Sequence, residues 1–301
     1  MAFDAIETPF GKRDKILGGA AMYISLSAST FVRPVRAISV VGYDFLTSDL
    51  DMLRAHGIDL EGLQVKQDEK SFFWAGRYRN DMNTRDTLAT ELNVLGSFDP
   101  TVPDSYQDCE YLMLGNLQPD VQRSVIERMH QRPRLIVLDT MNFWMDHARE
   151  SLDRTLSLID VLVINDEEAR QLTGEYSLRK AARQILQMGP RYAVIKKGEH
   201  GALLFHGEHV FSAPGLPLEE VFDPTGAGDT FAGGFIGHLA ATGDLSFDNM
   251  KRAVIYGSTL ASFCVERFGP ERLIHLGAEE IAARAGQFVT LAGFDLAVPS
   301  V

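Results

Sequence analysis

The chain has 301 residues, 45% of them hydrophobic and 23% charged, and carries a net charge of -12. It is long and apolar enough to bury a sizeable core, and its acidity opposes non-specific binding to nucleic acid or anionic membrane while leaving room for a local positive pocket. The two cysteines, Cys109 and Cys264, form neither a redox pair nor a zinc cluster, and no segment approaches the run of about 18 apolar residues that spans a membrane, so a reducing, cytoplasmic setting is expected.

In chain order, Asp4 precedes a Glu-Thr-Pro turn, and Gly18-Gly19 reads by itself as a tight turn. Five short apolar runs follow: Ala37 to Gly42, Tyr111 to Gly115, Leu135 to Asp139, Val161 to Asn165 and Tyr192 to Lys197. They predict buried strands with polar or glycine residues at their carboxyl ends. Between the first two, Ser71 to Arg79 places Phe72, Trp74 and Tyr78 in alternation, the pattern of a strand with one aromatic face. Helical spacing marks Asp120 to Gln131, Asp166 to Leu172 and Ser177 to Met188. Strand-helix alternation of this kind predicts a mostly parallel sheet covered on both faces, with ligands gathered beyond the strand carboxyl ends.

Two features near the later strands have plain structural readings of their own. Lys197-Gly198-Glu199-His200-Gly201 joins two apolar strands as a turn would, and His206 and His209 form a second turn without an obvious third metal ligand. Met250, Ala253, Val254, Gly257, Leu260, Ala261 and Cys264 recur at helical spacing, which makes Cys264 an inert core residue.

The most informative stretch is Asp223-Pro-Thr-Gly-Ala-Gly-Asp229, followed by a helical pattern carrying Phe231, Phe235, His238 and Leu239. Gly226, Ala227 and Gly228 let the backbone approach a phosphate at a helix amino terminus, where free amides and the helix dipole favour negative charge. A carboxylate beside such an anion hole would repel phosphate. Removing a proton from an attacking hydroxyl gives Asp229 a reason to be there, and capping the helix is the bland alternative.

The full run resembles the carboxyl-terminal signature of the phosphofructokinase B and ribokinase family of carbohydrate kinases. That resemblance implies a ribokinase-like three-layer α/β/α sandwich with a small β lid, formed as one kinase domain over 1–301 with lid segments near 7–15 and 64–79. It assigns Asp229 as base, the Gly226, Ala227 and Gly228 amides as phosphate stabilisers, and Asp223 with the Thr225 carbonyl as holders of a monovalent cation, potassium. Asn165 and Glu168 resemble the family's N-x-x-E motif, with Glu168 acting on magnesium through water; alone, an acid in a first helical turn merely compensates the dipole. Lys197, Gly198 and Gly201 occupy the place of a nucleotide-lining turn. Gly18-Gly19 and Asp4 resemble the substrate-binding elements, although Tyr23 stands where many members have Asn, a departure from the usual ribose pocket. Asp139-Thr-Met-Asn142 is similar to a D-x-N segment near the phosphates, while Asn83 and Arg85 stay unassigned.

The implied reaction is ATP-dependent phosphorylation of a sugar or nucleoside hydroxyl, with ATP and magnesium, on a small-molecule substrate, and with a homodimer through the lid as the expected assembly. A vitamin-precursor kinase of the same superfamily and a catalytically silent binding protein are the rivals; a dinucleotide-binding oxidoreductase is distant, since no early strand precedes G-x-G-x-x-G. The aromatic face and Tyr23 point to a substrate with a flat or apolar group beyond the sugar. Relatives place an apolar strand before the substrate-binding acid, but only Met1, Ala2 and Phe3 precede Asp4. Either a start upstream of Met1 or an open sheet beside the Ala37 to Gly42 strand is therefore expected.

Overall fold

The computed structural model describes residues 1–293. The chain opens with a hairpin of β1 (Ala2–Thr8) and β2 (Gly11–Gly18), then enters α1 (Ala20–Ala28). The strand expected over Ala37 to Gly42 is split into β3 (Val35–Arg36) and β4 (Ser39–Gly42), followed by α2 (Thr47–Ala55), β5 (Ile58–Asp59) and β6 (Leu63–Lys66). Next come β7 (Phe73–Tyr78) and β8 (Arg85–Glu91).

The body is built from alternating elements: β9 (Tyr111–Leu114), α3 (Pro119–Glu127), β10 (Leu135–Asp139), α4 (Asn142–His147), α5 (Arg149–Leu156), β11 (Val161–Asn165), α6 (Asp166–Thr173) and α7 (Leu178–Gln187). It continues through β12 (Tyr192–Lys196), β13 (Ala202–His206), β14 (His209–Ala213), α8 (Ala227–Thr242), α9 (Phe247–Cys264), α10 (Glu271–Ile274) and α11 (Ala278–Ala292). Strands β9 to β12 pair in parallel and β12 to β14 antiparallel, giving a six-stranded sheet in the order β14-β13-β12-β11-β10-β9.

Alternation along β10 shows why the sheet needs cover on both sides. Ile136 and Leu138 pack with Leu152, Leu172 and Ile185 from the helices α5 to α7, whereas Leu135 and Val137 pack with Phe231, Phe235 and Val254 from α8 and α9. All four β10 residues are fully buried, so a strand that reads as continuously apolar is serving two cores at once. The three layers are the expected ribokinase-like sandwich. Helix α8 is in turn held against α1, where the Ser27 hydroxyl donates to the Thr230 carbonyl at 2.6 Å.

A separate four-stranded sheet runs in the order β2-β1-β7-β8, with β1 and β7 parallel. It differs from the segments expected for it. Residues 64–66 lie in β6, which pairs in parallel with β4, and the small sheet instead gains β8. That strand is mostly exposed and reads Arg-Asp-Thr-Leu-Ala-Thr-Glu, so it carried no apolar alternation by which to recognise it. Beside β4 the ladder is open: among the described residues β4 pairs with β6 but with neither β9 nor β1. Ala2–Thr8 nonetheless forms a seven-residue strand, and the buried Met1 ammonium donates to Ser39 Oγ at 2.6 Å.

Candidate active site

The carboxyl ends of three adjacent strands bring the chemistry together. Asn165 at the end of β11 lies in register with Lys196 at the end of β12, and Asp139 closes β10 beside them. Lys196 Nζ sits 3.2 Å from Asp139 Oδ1, and a methyl group built on Gly228 would fall 2.9 Å from that same nitrogen. The ammonium therefore faces the turn ahead of α8. Burial works against its charge, but Asp139, Glu168 and Asp229 together hold it above the ordinary lysine value.

The glycine turn has the geometry that an anion site requires. Gly226 adopts φ 78° at the helix start, a left-handed conformation that favours glycine, and its face lies against the Tyr23 ring, whose carbons would be 2.4 Å from an added methyl group. The amides of Gly228 and Asp229 fall in the first helical turn, where no helical carbonyl can receive them. That of Ala227 donates to the Pro224 carbonyl at 3.2 Å, so this part of the expected amide trio closes the turn.

Asp229 stands in that first turn, and among the described residues no side-chain cap closes the helix start. Enclosure by protein, reinforced by the charge of Asp139, pushes its carboxyl up to about 7. Asp4, on β1, is near enough for its charge to act on Asp229. Its carboxylate lies so close to Gly18 that an added methyl group would be 1.9 Å from Oδ2, and it accepts from the Gly19 amide. Burial, and then the Asp223 charge, raise Asp4 to about 7.

Asn165 and Glu168 make a reciprocal cap at the start of α6. Glu168 N donates to Asn165 Oδ1 at 2.7 Å, and Asn165 N donates to Glu168 Oε2 at 2.8 Å. The second oxygen of Glu168 is left for another donor. Burial pushes this carboxyl up to about 7 against the opposing charge of Lys196. Asp223 is fully buried, with Oδ1 accepting from Thr225 N at 2.9 Å and Oδ2 from Gly269 N at 3.0 Å, and it has no ion-pair partner among the described residues. The Thr225 carbonyl accepts from the buried Cys264 thiol at 3.7 Å, and burial pushes that thiol up to about 12, as an inert core cysteine should be.

Some expected residues sit differently. Lys197 closes the turn after β12 through its amide, which donates to the Gly201 carbonyl at 2.8 Å, but its side chain makes no hydrogen bond or ion pair among the described residues. Gly198 and Gly201 adopt φ 53° and 84°, so the plain-turn reading of this segment holds as local structure. Asn142 turns to Gln171. Lys196 is the lysine that reaches the site, and alternation could have found it: neighbouring strand residues face opposite ways, so ending the strand one residue earlier exchanges the two lysines. Tyr78 was expected on an aromatic face, but its hydroxyl accepts from Thr225 Oγ1 at 3.2 Å, pinning the small sheet to the anion turn. Trp74 lies across Gly76, where an added methyl group would meet its ring at 2.0 Å.

The pfkB family carbohydrate kinase model matches residues 10–275, a span that includes the glycine turn, the capped strand end and Lys196. The chain belongs to the pfkB family of carbohydrate kinases. Among its relatives are a cytidine kinase of Thermococcus kodakarensis, 27% identical over 242 residues that cover 78% of this chain and 84% of that one, and a nucleoside kinase of Methanothermobacter thermautotrophicus, 25% identical with coverages of 84% and 80%. The fold matches Burkholderia thailandensis nucleoside kinase in complex with inosine, with TM-score 0.76, 22% identity and 97% and 96% of the two chains covered. It also matches a ribokinase-type structure from E. coli in complex with ATP and Mg2+, with TM-score 0.77, 20% identity and coverages of 95% and 96%. As a pfkB kinase, the chain is an ATP-dependent phosphotransferase acting on a small-molecule sugar or nucleoside hydroxyl.

Proposed function

We propose that the acceptor is a nucleoside. The observation that carries this reading is the register of β1 and β7, in which Asp4 and Trp74 are partners on adjacent parallel strands and so share one face of the small sheet. A ligand whose sugar hydroxyls meet the Asp4 carboxylate presents its next group to the indole that lies against Gly76, and aromatic faces stack on rings. The names of the cytidine and nucleoside kinase relatives agree with this.

In the proposed mechanism Asp4, with Gly18 and Gly19, orients the acceptor. Asp229 accepts the hydroxyl proton as oxygen attacks the γ-phosphorus, and the turn Gly226, Ala227 and Gly228, together with Lys196, stabilises the charge on the transferring oxygens. Lys197, Gly198 and Gly201 line the nucleotide. Asn165 and Glu168 suit a magnesium ion that keeps its waters, because one Glu168 oxygen is free to accept from a bound water. Bound there, the metal would neutralise phosphate charge. Asp223 and the Thr225 carbonyl suit a monovalent cation, since a buried carboxylate without a counter-charge is costly and a cation would supply it. The small sheet acts as a lid that excludes water. Its outer strand β8, which carries exposed Leu88 and is followed by exposed Leu92, is the surface for pairing with a second copy.

A product-mass assay over nucleosides, pentoses and hexoses tests this directly. Nucleoside monophosphate should appear with ATP and magnesium, faster in potassium than in a bulky organic cation at equal ionic strength. Robust transfer to simple sugars with none to nucleosides would overturn the nucleoside reading.

A further inference from the structure

The tip of the small sheet, where Tyr78 and Arg85 are register partners, meets the body at two places. Tyr78 accepts from Thr225 of the anion turn, and Asn83 Nδ2 donates to Glu199 Oε2 at 3.0 Å in the turn after β12. The tip thus bridges the anion turn and the turn after β12, the strand whose Lys196 lies against Gly228. The small sheet and its hairpin carry four arginines, and three of them are engaged. Arg77 pairs with Glu7 at 2.9 Å and Arg79 with Asp86 at 2.8 Å, while Arg13 donates to the Lys12 carbonyl and lies over the Phe268 ring. Arg85 has no acidic partner among the described residues; its exposed guanidinium rests 5.8 Å from the centre of the Trp74 ring and lies beside the Tyr78 hydroxyl at the tip. Its charge nevertheless acts on both Glu168 and Asp229, favouring their ionised forms.

We propose that Arg85 is a catalytic cation: when the small sheet is closed it donates hydrogen bonds to the non-bridging oxygens of the γ-phosphate and stays on that group during transfer. Lys196 approaches the same space from the strand ends, so the transferring group is bracketed by one cation from the body and one from the small sheet. The covalent balance is that of a single displacement. The acceptor oxygen bonds to the γ-phosphorus, the bond from that phosphorus to the β-γ bridging oxygen breaks, the acceptor proton goes to Asp229, and ADP leaves. Arg85 forms no covalent bond. A planar guanidinium suits the task because its fixed fork can hold two phosphoryl oxygens together. Because the cation comes from the sheet that covers the acceptor, full stabilisation is available only when that sheet is closed, which disfavours transfer to water.

The test compares Arg85→Ala and Arg85→Lys with the unchanged protein, using whichever acceptor the substrate panel identifies, so that failure of the nucleoside reading leaves it standing. With saturating ATP, Arg85→Ala should lower kcat by about a thousandfold, the low end of what an arginine on a transferring phosphoryl group contributes. Acceptor affinity measured without ATP should be unchanged, Arg85→Lys should recover part of the loss, and millimolar guanidinium should partly rescue Arg85→Ala alone. Melting temperatures should coincide, since the side chain is exposed. A kcat for Arg85→Ala close to that of the unchanged protein overturns the proposal. So does a loss confined to acceptor binding, which would make Arg85 a reader of the base beside Trp74.

Discussion

At Asp229, burial and the nearby Asp139 carboxylate hold the acid near neutrality, which is where a general base works best at physiological pH. The value of about 7 has a direct kinetic consequence: kcat/KM should rise as pH increases through about 7 and then level, because only the ionised carboxylate accepts the proton. Asp229→Asn should lower turnover by about a hundredfold or more while the melting temperature stays level or rises, since a buried charge is removed. Near-normal turnover in this folded variant would show that another group takes the proton. The two adjacent lysines separate in the same assay. Lys196→Met should cost turnover about a hundredfold, as losing one preorganised charge-stabilising donor does, whereas Lys197→Met should act mainly on KM for ATP. Equal effects on turnover would remove the distinction that the strand alternation draws between them.

Helix α6 shows how one element serves structure and chemistry at once. Its first turn is closed by the reciprocal Asn165 and Glu168 bonds, and its last residue is followed by Gly174 at φ 73°, the left-handed end that glycine favours. The two roles come apart under substitution. Asn165→Ala removes the cap acceptor and should cost about 1 kcal/mol, read as a drop of about 2–4 °C in Tm. Glu168→Gln keeps an oxygen able to accept from the Asn165 amide but removes a charge beside Lys196, so Tm should hold while the magnesium requirement rises and turnover falls. A Glu168→Gln protein with unchanged magnesium dependence would reduce Glu168 to a cap. At the scale of strands, β10, β11 and β12 were legible because continuous apolar runs have few alternatives to burial on both faces. Strand β8 was not, because its stability comes from pairing with β7 at a solvated edge, and polar residues satisfy that as well as apolar ones do.

Across the whole molecule, Asp4, Glu168 and Asp229 are all raised to about 7 in the folded chain. Between their ordinary values near 4 and about 7, the native state binds more protons than the unfolded one. The stability they contribute is complete below the ordinary carboxylate range and is lost as pH rises through about 7. One extra proton held over one pH unit is worth about 1.4 kcal/mol, so the melting temperature without ligands should fall by at least a few degrees between about pH 5 and about pH 8. Asp229→Asn should flatten that slope, and a melting temperature that climbs steadily over the same range would contradict the arrangement of acids. The sequence by itself determined the two-sided sheet, the anion turn with its acid, and the family, because buried strands, glycine turns and helix starts are written in neighbouring residues. Only the tertiary structure decided that Lys196 is the lysine beside the glycine turn, that β6 leaves the small sheet for β4, that Tyr78 joins the anion turn, and that Arg85 stands next to Tyr78 at the tip of the small sheet. Those outcomes depend on strand register and on which faces meet, and both are settled by packing between segments far apart in the chain.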